Sequence, residues 1–359
     1  MPLPSADLIA EVLDQLGAPS RDMLLSVGRS TIAVSNLDKP LWPDARPAPF
    51  SKRDLLIYLA QVSPWLLRHL EGRPLFVTRY PHGAGGERFF QKHWDTPPPY
   101  ARTVAVWSKE SRAPRDYLVV ANLQTLLWLG QLAAIELHTW FSRVAPRPDA
   151  AQLGTRYADS AEALDASRLN YPDFLIVDLD AYDYSGREAA GSEPELHRRG
   201  FNRVRTVAFE VQRVALALGL NPYVKTSGRT GLHVFLPIVR RFTYDEVRAM
   251  AEMVGEFLVS LRPKDVTLAW SVRDRAGKVF FDYNQNVRGK SLVAAYSPRP
   301  HPAGTVSMPV SWAELGQIYP TEFTLRTVPP LLAARGDRWA DILDAKEDLD
   351  AILDAARAS

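Results

Sequence analysis

The stretch that most constrains this 359-residue chain is Phe174-Leu175-Ile176-Val177-Asp178-Leu179-Asp180. An apolar run ends in two aspartates one residue apart. In a strand the side-chain period is two, so Asp178 and Asp180 share a face, with Cα atoms roughly 6.5 Å apart. Two carboxylates aimed together repel unless a cation or a shared proton lies between them. Oxygen-only ligands suit Mg²⁺ or Mn²⁺. Paired ions about 3.5–4 Å apart are the usual device for in-line phosphoryl or nucleotidyl transfer. The plain alternative is a polar turn at a strand end, so other features have to decide.

Composition removes several options. The chain has no cysteine, hence no disulfide framework, thiolate zinc site or cysteine nucleophile. The N-terminus lacks a basic segment followed by an apolar one, and apolar runs stop short of membrane-spanning length, so a cytoplasmic, non-membrane protein is expected. With 43 basic and 41 acidic residues the net charge is only +2, so bulk charge gives no argument for nucleic acid and charge placement must carry it. Arginines and lysines cluster with aromatics at Arg79-Tyr80, at Arg88-Phe89-Phe90-Gln91-Lys92-His93-Trp94 and at Arg198-Arg199-Gly200-Phe201. These are ingredients of a surface that stacks bases and neutralises phosphates. Solvated charges flanking core aromatics are the bland alternative.

Strand and helix signals interleave without a strict βαβ rhythm. Residues 1–30 read as a helical lead-in and Val34–Pro43 as extended. Ser51-Lys-Arg-Asp54 resembles a capping box opening a helix to about residue 70, with a kink expected at Pro64. Strands are expected over 73–80, 100–107, 174–180, 222–226 and 232–238, with a hairpin of Val279–Tyr283 and Leu292–Tyr296. Residues 109–115 read as a charged loop, 121–136 as a buried helix, 145–172 as an exposed insertion and 182–194 as a polar loop. Helices are expected over 196–218 and 244–260, and short helices with prolines over 311–359. The fold class is α/β of α+β character, a mixed or antiparallel sheet core flanked by helices. The expected division is an N-terminal helical extension (1–30), a main domain (31–340, with an N-terminal part over 31–140 and a core over 174–310) and a C-terminal helical tail (341–359).

Two further motifs carry chemistry. In Lys225-Thr-Ser-Gly-Arg-Thr-Gly-Leu-His233, glycines let backbone N–H groups approach an anion, and Ser227, Arg229 and His233 add donors. The spacing is neither a Walker loop nor a serine-hydrolase elbow, and a plain hairpin turn is the alternative. In Phe281-Asp282-Tyr283 a second apolar strand ends in an aspartate, which completes a carboxylate triad if the two strands are neighbours.

Together these motifs resemble the polymerase domain of bacterial ligase D, a branch of the archaeo-eukaryotic primase superfamily, over roughly residues 31–340. The resemblance also rests on Ser35-Asn-Leu-Asp-Lys39, Gly86-Glu-Arg-Phe-Phe-Gln-Lys92, Ile135-Glu-Leu-His138 and Ala294-Ala-Tyr-Ser-Pro-Arg299. It implies a template-directed nucleotidyltransferase using two Mn²⁺ or Mg²⁺ ions on Asp178, Asp180 and Asp282. By the same comparison His138, Ser227, His233 and Arg299 contact the triphosphate, Arg229 is a candidate to supply its charge, and Gln285 lies by the incoming nucleotide. Asn36, Lys39 and Lys52 form a pocket for the 5′-phosphate at a gap or break, while Arg79, Phe89, Phe90 and Lys92 face the template and primer. The implied partners are gapped or broken duplex DNA with a 5′-phosphate, NTP or dNTP, and a separate ligase and end-binding proteins. Family members commonly favour ribonucleotides and manganese.

The chain departs from the family at Thr230, where Lys is usual, and in longer segments between His138 and Asp178 and over 181–200. With no K-x-D-G ligase nucleophile and no nuclease-like histidine cluster, a stand-alone polymerase is expected. The rival readings are a non-catalytic DNA-end-binding scaffold and a metal-dependent nuclease or phosphatase.

Overall fold

The computed structural model describes all residues except 1, 2, 187, 189–193, 351 and 353–359. Part of the expected 182–194 loop and most of the end of the 341–359 tail therefore lie outside the described residues.

The chain opens with α1 (Ala6–Gly17), a hairpin of β1 (Met23–Val27) and β2 (Ser30–Val34), and the short pair β3 (Pro40–Trp42) and β4 (Phe50–Ser51). It continues through α2 (Lys52–Leu70), β5 (Leu75–Arg79), β6 (Phe89–Gln91), β7 (Thr103–Ser108), β8 (Ala113–Leu118), α3 (Leu123–Gln131) and β9 (Ala134–Thr139). Next come α4 (Ala161–Asp165), β10 (Phe174–Ala181), α5 (Arg198–Ala217), β11 (Tyr223–Thr226), β12 (Leu232–Pro237) and α6 (Tyr244–Leu261). The last elements are β13 (Val266–Thr267), β14 (Val279–Asp282), β15 (Leu292–Val293), β16 (Pro309–Val310), α7 (Trp312–Leu315) and α8 (Val328–Arg335).

Two larger sheets organise the molecule. The first runs β13-β14-β10-β12-β11-β16 and is antiparallel except for β13 on β14. The second runs β15-β9-β5-β8-β7, with β6 paired to β5. Strand β10 is buried along its apolar run, Leu175, Ile176, Val177 and Leu179 included; Gly200 of α5 lies against Ala181 and Gly255 of α6 against Phe281, which stands opposite Leu179, so both helices cover the face turned away from Asp178. The capping box at Ser51 and Asp54 forms as expected, Ser51 N donating to Asp54 Oδ2 at 2.6 Å. Pro64 sits inside α2, and the Ser63 hydroxyl donates at 2.8 Å to the Ala60 carbonyl, the acceptor that Pro64 has no N–H to serve.

Several expectations need correction. The helical lead-in ends at Gly17; residues 23–34 form a hairpin whose alternating burial puts Leu25, Val27, Ile32 and Val34 inward, turned by Gly28 at φ 61°. The charged loop 109–115 shrinks to a turn, because Ala113–Leu118 pairs with β7. The expected helix 121–136 ends at Gln131, Ala133 takes φ 54°, and the chain re-enters as β9. The expected 279–296 hairpin does not form: β14 pairs with β10 in the first sheet and β15 with β9 in the second, so this segment crosses between the sheets. Segment 145–172 is not simply exposed, since Leu164 and Leu169 join Val106 and Trp140 in a small second core. The described part of the expected C-terminal helical tail is mostly turns, tied back by a bridge between Ile238 and Glu347.

Candidate active site

Antiparallel register builds the site. Asp178 on β10 stands directly opposite Asp282 on β14 and, on its other side, opposite His233 on β12; His233 in turn stands opposite Lys225 on β11. Directly opposed residues share a face. The sheet therefore carries a row Asp282, Asp178, His233, Lys225, with Asp180 two residues along β10 on the same face.

The electrostatics of the row are unbalanced. Burial pushes the Asp178 carboxyl well above its ordinary value, and Asp180 and Asp282 push it further; burial raises Asp282 as well. Among the described residues Asp178 Oδ1 is buried with no hydrogen-bond partner, although His233 Nε2 lies 3.4 Å away. The Gln285 amide bridges two carboxylates, donating to Asp178 Oδ2 at 3.1 Å and lying 3.4 Å from Asp282 Oδ2. Asp282 Oδ1 accepts from the Asn284 backbone N–H at 3.0 Å. Among the described residues no group of His, Asp and Glu side chains is drawn tightly enough to read as a formed metal centre.

The turn between β11 and β12 lies against the aspartates. Ser227 Oγ accepts from the N–H groups of Arg229 and Gly231, each at 3.1 Å, which leaves its own proton to donate. A Cβ at Gly231 would stand 2.5 Å from the Leu179 carbonyl oxygen and 2.7 Å from Asp180 Oδ1, and one at Gly228 would stand 2.5 Å from Arg299 Cγ. Glycine is needed at both positions for that approach.

The opposite wall comes from the second sheet. Glu136 and His138, two apart on β9, share a face. Glu136 accepts from Tyr80 Oη at 2.7 Å and pairs with Arg299 at 3.3 Å. Burial works to raise the Glu136 pKa, but Arg299, His138 and Tyr80 outweigh it and hold it well below the usual range. His138 stacks on Phe76 with centroids 4.7 Å apart, and burial lowers its pKa. Between the walls lies a cavity of about 210 Å³ lined by His138, Asp178, Asp180, Ser227, Arg229, Thr230, His233, Ser291 and Arg299. Besides Asp178 Oδ1, both Ser291 Oγ and Arg299 Nε are buried there without partners among the described residues.

The remaining expected residues gather in two other places. Asn36, Lys39 and Lys52 meet at the start of α2, where Lys39 N donates to Asn36 O at 3.0 Å and Lys52 N to Lys39 O at 2.9 Å. Lys52 Nζ donates to Ser35 O at 3.0 Å; burial lowers its pKa, and the neighbouring Lys39 adds to this against Asp22. Asn36 is held at φ 54° by Asp22 and Arg21, Asp22 Oδ1 accepting from Asn36 N at 2.7 Å. On β6, Phe89 and Phe90 are 46% and 61% exposed. Arg79, opposite Phe89, donates to Gln91 at 2.9 Å, and Lys92 lies 6.0 Å over the Phe76 ring that carries His138.

Glu136, Tyr80, Lys225 and Ser291 also belong to the cavity or its support; the sequence placed Tyr80 only in an arginine–aromatic cluster, and it gave Glu136, Lys225 and Ser291 no role of their own. Glu136 was legible in principle: reading 134–139 as a strand aligns it with His138, whereas the expected helix separates the two faces.

The family model described as "LigD, primase-polymerase domain" matches residues 51–339. The Bifunctional non-homologous end joining protein LigD of Bacillus subtilis is 28% identical over 327 residues, covering 90% of this chain and 46% of that protein. The Multifunctional non-homologous end joining protein LigD of Pseudomonas aeruginosa is 30% identical over 315 residues, covering 84% of this chain and 32% of that protein. The chain thus spans less than half the length of these relatives. The solved polymerase domain of Mycobacterium tuberculosis ligase D in complex with DNA superposes with a TM-score of 0.72 at 26% identity, covering 88% of this chain and 99% of that one. The chain belongs to the LigD primase-polymerase domain family, a family of nucleotidyltransferases with this mixed helix and antiparallel-sheet fold.

Proposed function

We propose that the protein is a template-directed repair polymerase that adds nucleotides, preferentially ribonucleotides, to a primer end at a short gap or break with a downstream 5′-phosphate. The observation that carries the reading is Asp178 Oδ1, a buried carboxylate oxygen without a partner among the described residues, opposite Asp282 and flanked by Asp180. An unused carboxylate cluster is electrostatically costly, which argues against a scaffold that has lost catalysis. The donor-rich turn and Arg299 argue against a simple nuclease, which needs no triphosphate site.

The donor set fits a hard divalent cation, because all three side chains offer only oxygen and one oxygen is unspent. Asp178 and Asp180 would hold two ions and Asp282 one of them, with Mn²⁺ or Mg²⁺ as the cations. Bound there, such ions supply Lewis-acid charge to the triphosphate and lower the pKa of the attacking hydroxyl. The chain's own contribution is positioning. Ser227, His233 and His138 donate to phosphate oxygens, and Arg299 and Arg229 neutralise their charge, Arg299 being aimed by Glu136. Gln285 orients the two carboxylates it bridges and contacts the nucleotide. Thr230 leaves the charge at this turn to Arg229.

Asn36, Lys39 and Lys52 would grip the 5′-phosphate at the N-terminus of α2, where the helix dipole adds to the lysine charges. Phe89 and Phe90 would stack on template bases with Arg79 and Lys92 beside them. The relatives' names support a role in non-homologous end joining; a separate ligase and end-binding proteins are the partners proposed for it. The test is nucleotide incorporation on a gapped duplex carrying a 5′-phosphate, with Mn²⁺ or Mg²⁺ and with rNTP or dNTP. Incorporation that persists in Asp178→Ala, or none in the unaltered protein, would sink the reading.

A further inference from the structure

Register fixes what lies at the open end of the N-terminal hairpin. Met23 pairs with Val34, so residues 21–22 and 35–37 leave the hairpin side by side. Leu37 N donates to Arg21 O at 2.9 Å, Asn36 N to Asp22 Oδ1 at 2.7 Å, and Arg21 Nη2 to Asn36 Oδ1 at 3.2 Å. A guanidinium only donates, so Asn36 presents its carbonyl oxygen to Arg21 and turns its amide N–H₂ away from it. Most other donors nearby are committed. The first N–H groups of α2 are spent, Lys52 N on Lys39 O and Arg53 N on Leu37 O, each at 2.9 Å, and Asp54 N on Ser51 Oγ at 3.3 Å. The Arg53 guanidinium is held by the carbonyls of Leu16, Ala18 and Ser20 and by Asp38 at 3.3 Å. Lys52 Nζ gives a proton to Ser35 O at 3.0 Å. Arg21 is exposed, and its bond to Asn36 uses one edge of the guanidinium fork.

We propose that Arg21 is a phosphate-binding residue of the downstream-end pocket: its guanidinium takes the 5′-terminal phosphate together with Lys39 and Lys52, and its grip on Asn36 turns the Asn36 amide toward the same phosphate. The inference rests on the 5′-phosphate reading of that pocket. A terminal phosphate monoester carries about −1.5 to −2 charge at neutral pH and several strong acceptor oxygens, more than the diesters beside it. Lysines answer as point charges, whereas a planar fork can take two oxygens of one phosphate at once. With the first N–H groups of α2 spent inside the chain, side-chain donors have to do the gripping, and Arg53 has none to give. The hairpin β1–β2 thereby belongs to the site, because its closure sets Arg21 against Asn36 across 15 positions of sequence. A 5′-hydroxyl end has no such phosphate, so what Arg21 contributes should be felt on phosphorylated ends alone.

The test is binding of the full chain to short-gap duplexes that differ only in a 5′-phosphate or 5′-hydroxyl at the downstream end, read by fluorescence anisotropy at several salt concentrations. Arg21→Ala should weaken binding to the phosphorylated gap about fivefold and leave the hydroxyl gap unchanged. On the phosphorylated gap alone it should flatten the salt dependence by about one unit. Arg21→Lys, which keeps the charge but not the fork, should recover only part of the loss. Asn36→Ala should cost less in the Arg21→Ala background than by itself, because the amide it removes is no longer aimed. Arg21→Gln, which can still donate to Asn36 Oδ1, should keep that coupling while losing the unit of salt dependence. An unchanged phosphate preference in Arg21→Ala overturns the proposal, and so does equal weakening on both gaps, which would make Arg21 an ordinary backbone contact. Strictly additive costs of Arg21→Ala and Asn36→Ala overturn the aiming of Asn36. No preference for phosphate in the unaltered protein would instead overturn the pocket reading itself, and this inference with it.

Discussion

The two ends of one strand treat their carboxylates in opposite ways. Asp173, just before β10, is fully buried and met by Arg73 at 3.0 Å, Arg143 at 2.8 Å and Lys346 at 2.6 Å, with Arg240 at 3.5 Å. Burial works to raise its pKa, but Arg73, Lys346 and Arg143 more than reverse that and drive it far below the ordinary value. Asp178, also buried, faces two more carboxylates and is driven up. Both aspartates leave water; only the first is repaid within the chain. The charge at Asp173 ties segments 143–149, 240 and 346 together, whereas the charge at Asp178 is left for something that binds.

The largest expected effect breaks this contrast at its functional end. Asp178→Asn should cost at least about 10³-fold in nucleotide addition, several kcal/mol of transition-state stabilisation. It should leave binding to gapped duplex intact and, without divalent metal, raise the thermal midpoint by a few degrees by removing like-charge repulsion. A lower midpoint would mean Asp178 is structural after all. Asp173→Asn should do the reverse and cost about 3–5 kcal/mol of stability in denaturant unfolding, because it strands buried cations.

The pH dependence of stability sharpens the same comparison. A depressed pKa at Asp173 means stability fully present above the unfolded value of about 3.9 and lost as pH falls through the folded one. A raised pKa at Asp178 has the opposite sign, with stability lost as pH rises from about 3.9 through the folded value. Thermal midpoints across acidic pH should therefore show a steeper acid loss than Asp173→Asn retains. They should also show a decline toward neutrality that Asp178→Asn flattens. Identical profiles for all three proteins would remove the contrast.

Lys39 and Lys52 should behave like Asp178, as charges kept for a ligand. Replacing both by Ala should weaken binding to 5′-phosphorylated gaps about tenfold and spare 5′-hydroxyl gaps. The salt dependence should flatten by about one unit for each phosphate the protein no longer neutralises. Equal weakening on both gaps would undo the pocket assignment. The smallest expected effect is at Phe90, 61% exposed. Phe90→Ala should cost about 1 kcal/mol in binding template DNA, the low end of what stacking one base contributes, with no change in the unfolding midpoint.

The sequence exposed the contrast only in part. Asp178-Leu-Asp180 and Asp282 were readable because apolar runs ending in aspartate announce strand ends, and the pairing of β10 with β14 is what makes them one site. Asp173 gave no signal, since its cations come from residues 73, 143, 240 and 346, and only the tertiary fold brings them together. Strand β9 was misread because Ala133–Leu137 is a continuous apolar run broken only by Glu136, for which helix and buried strand share a pattern. The 279–296 crossover was misread as a hairpin because two short strand signals close in sequence usually pair, and here each found an older neighbour in a different sheet.

The exposed pair on β6 has a consequence for the molecule when no nucleic acid is near. Among the described residues β6 pairs only with β5, so its outer edge and two phenylalanine rings are available to any sticky neighbour, including another copy. The edge is only three residues long, and Arg88 lies 5.2 Å over the Phe90 ring with Lys92 just beyond the strand. Positive charges flanking a short apolar edge repel a second copy while attracting a polyanion. On the template reading proposed for Phe89 and Phe90, the same side chains would hold copies of the protein apart and leave that edge to nucleic acid.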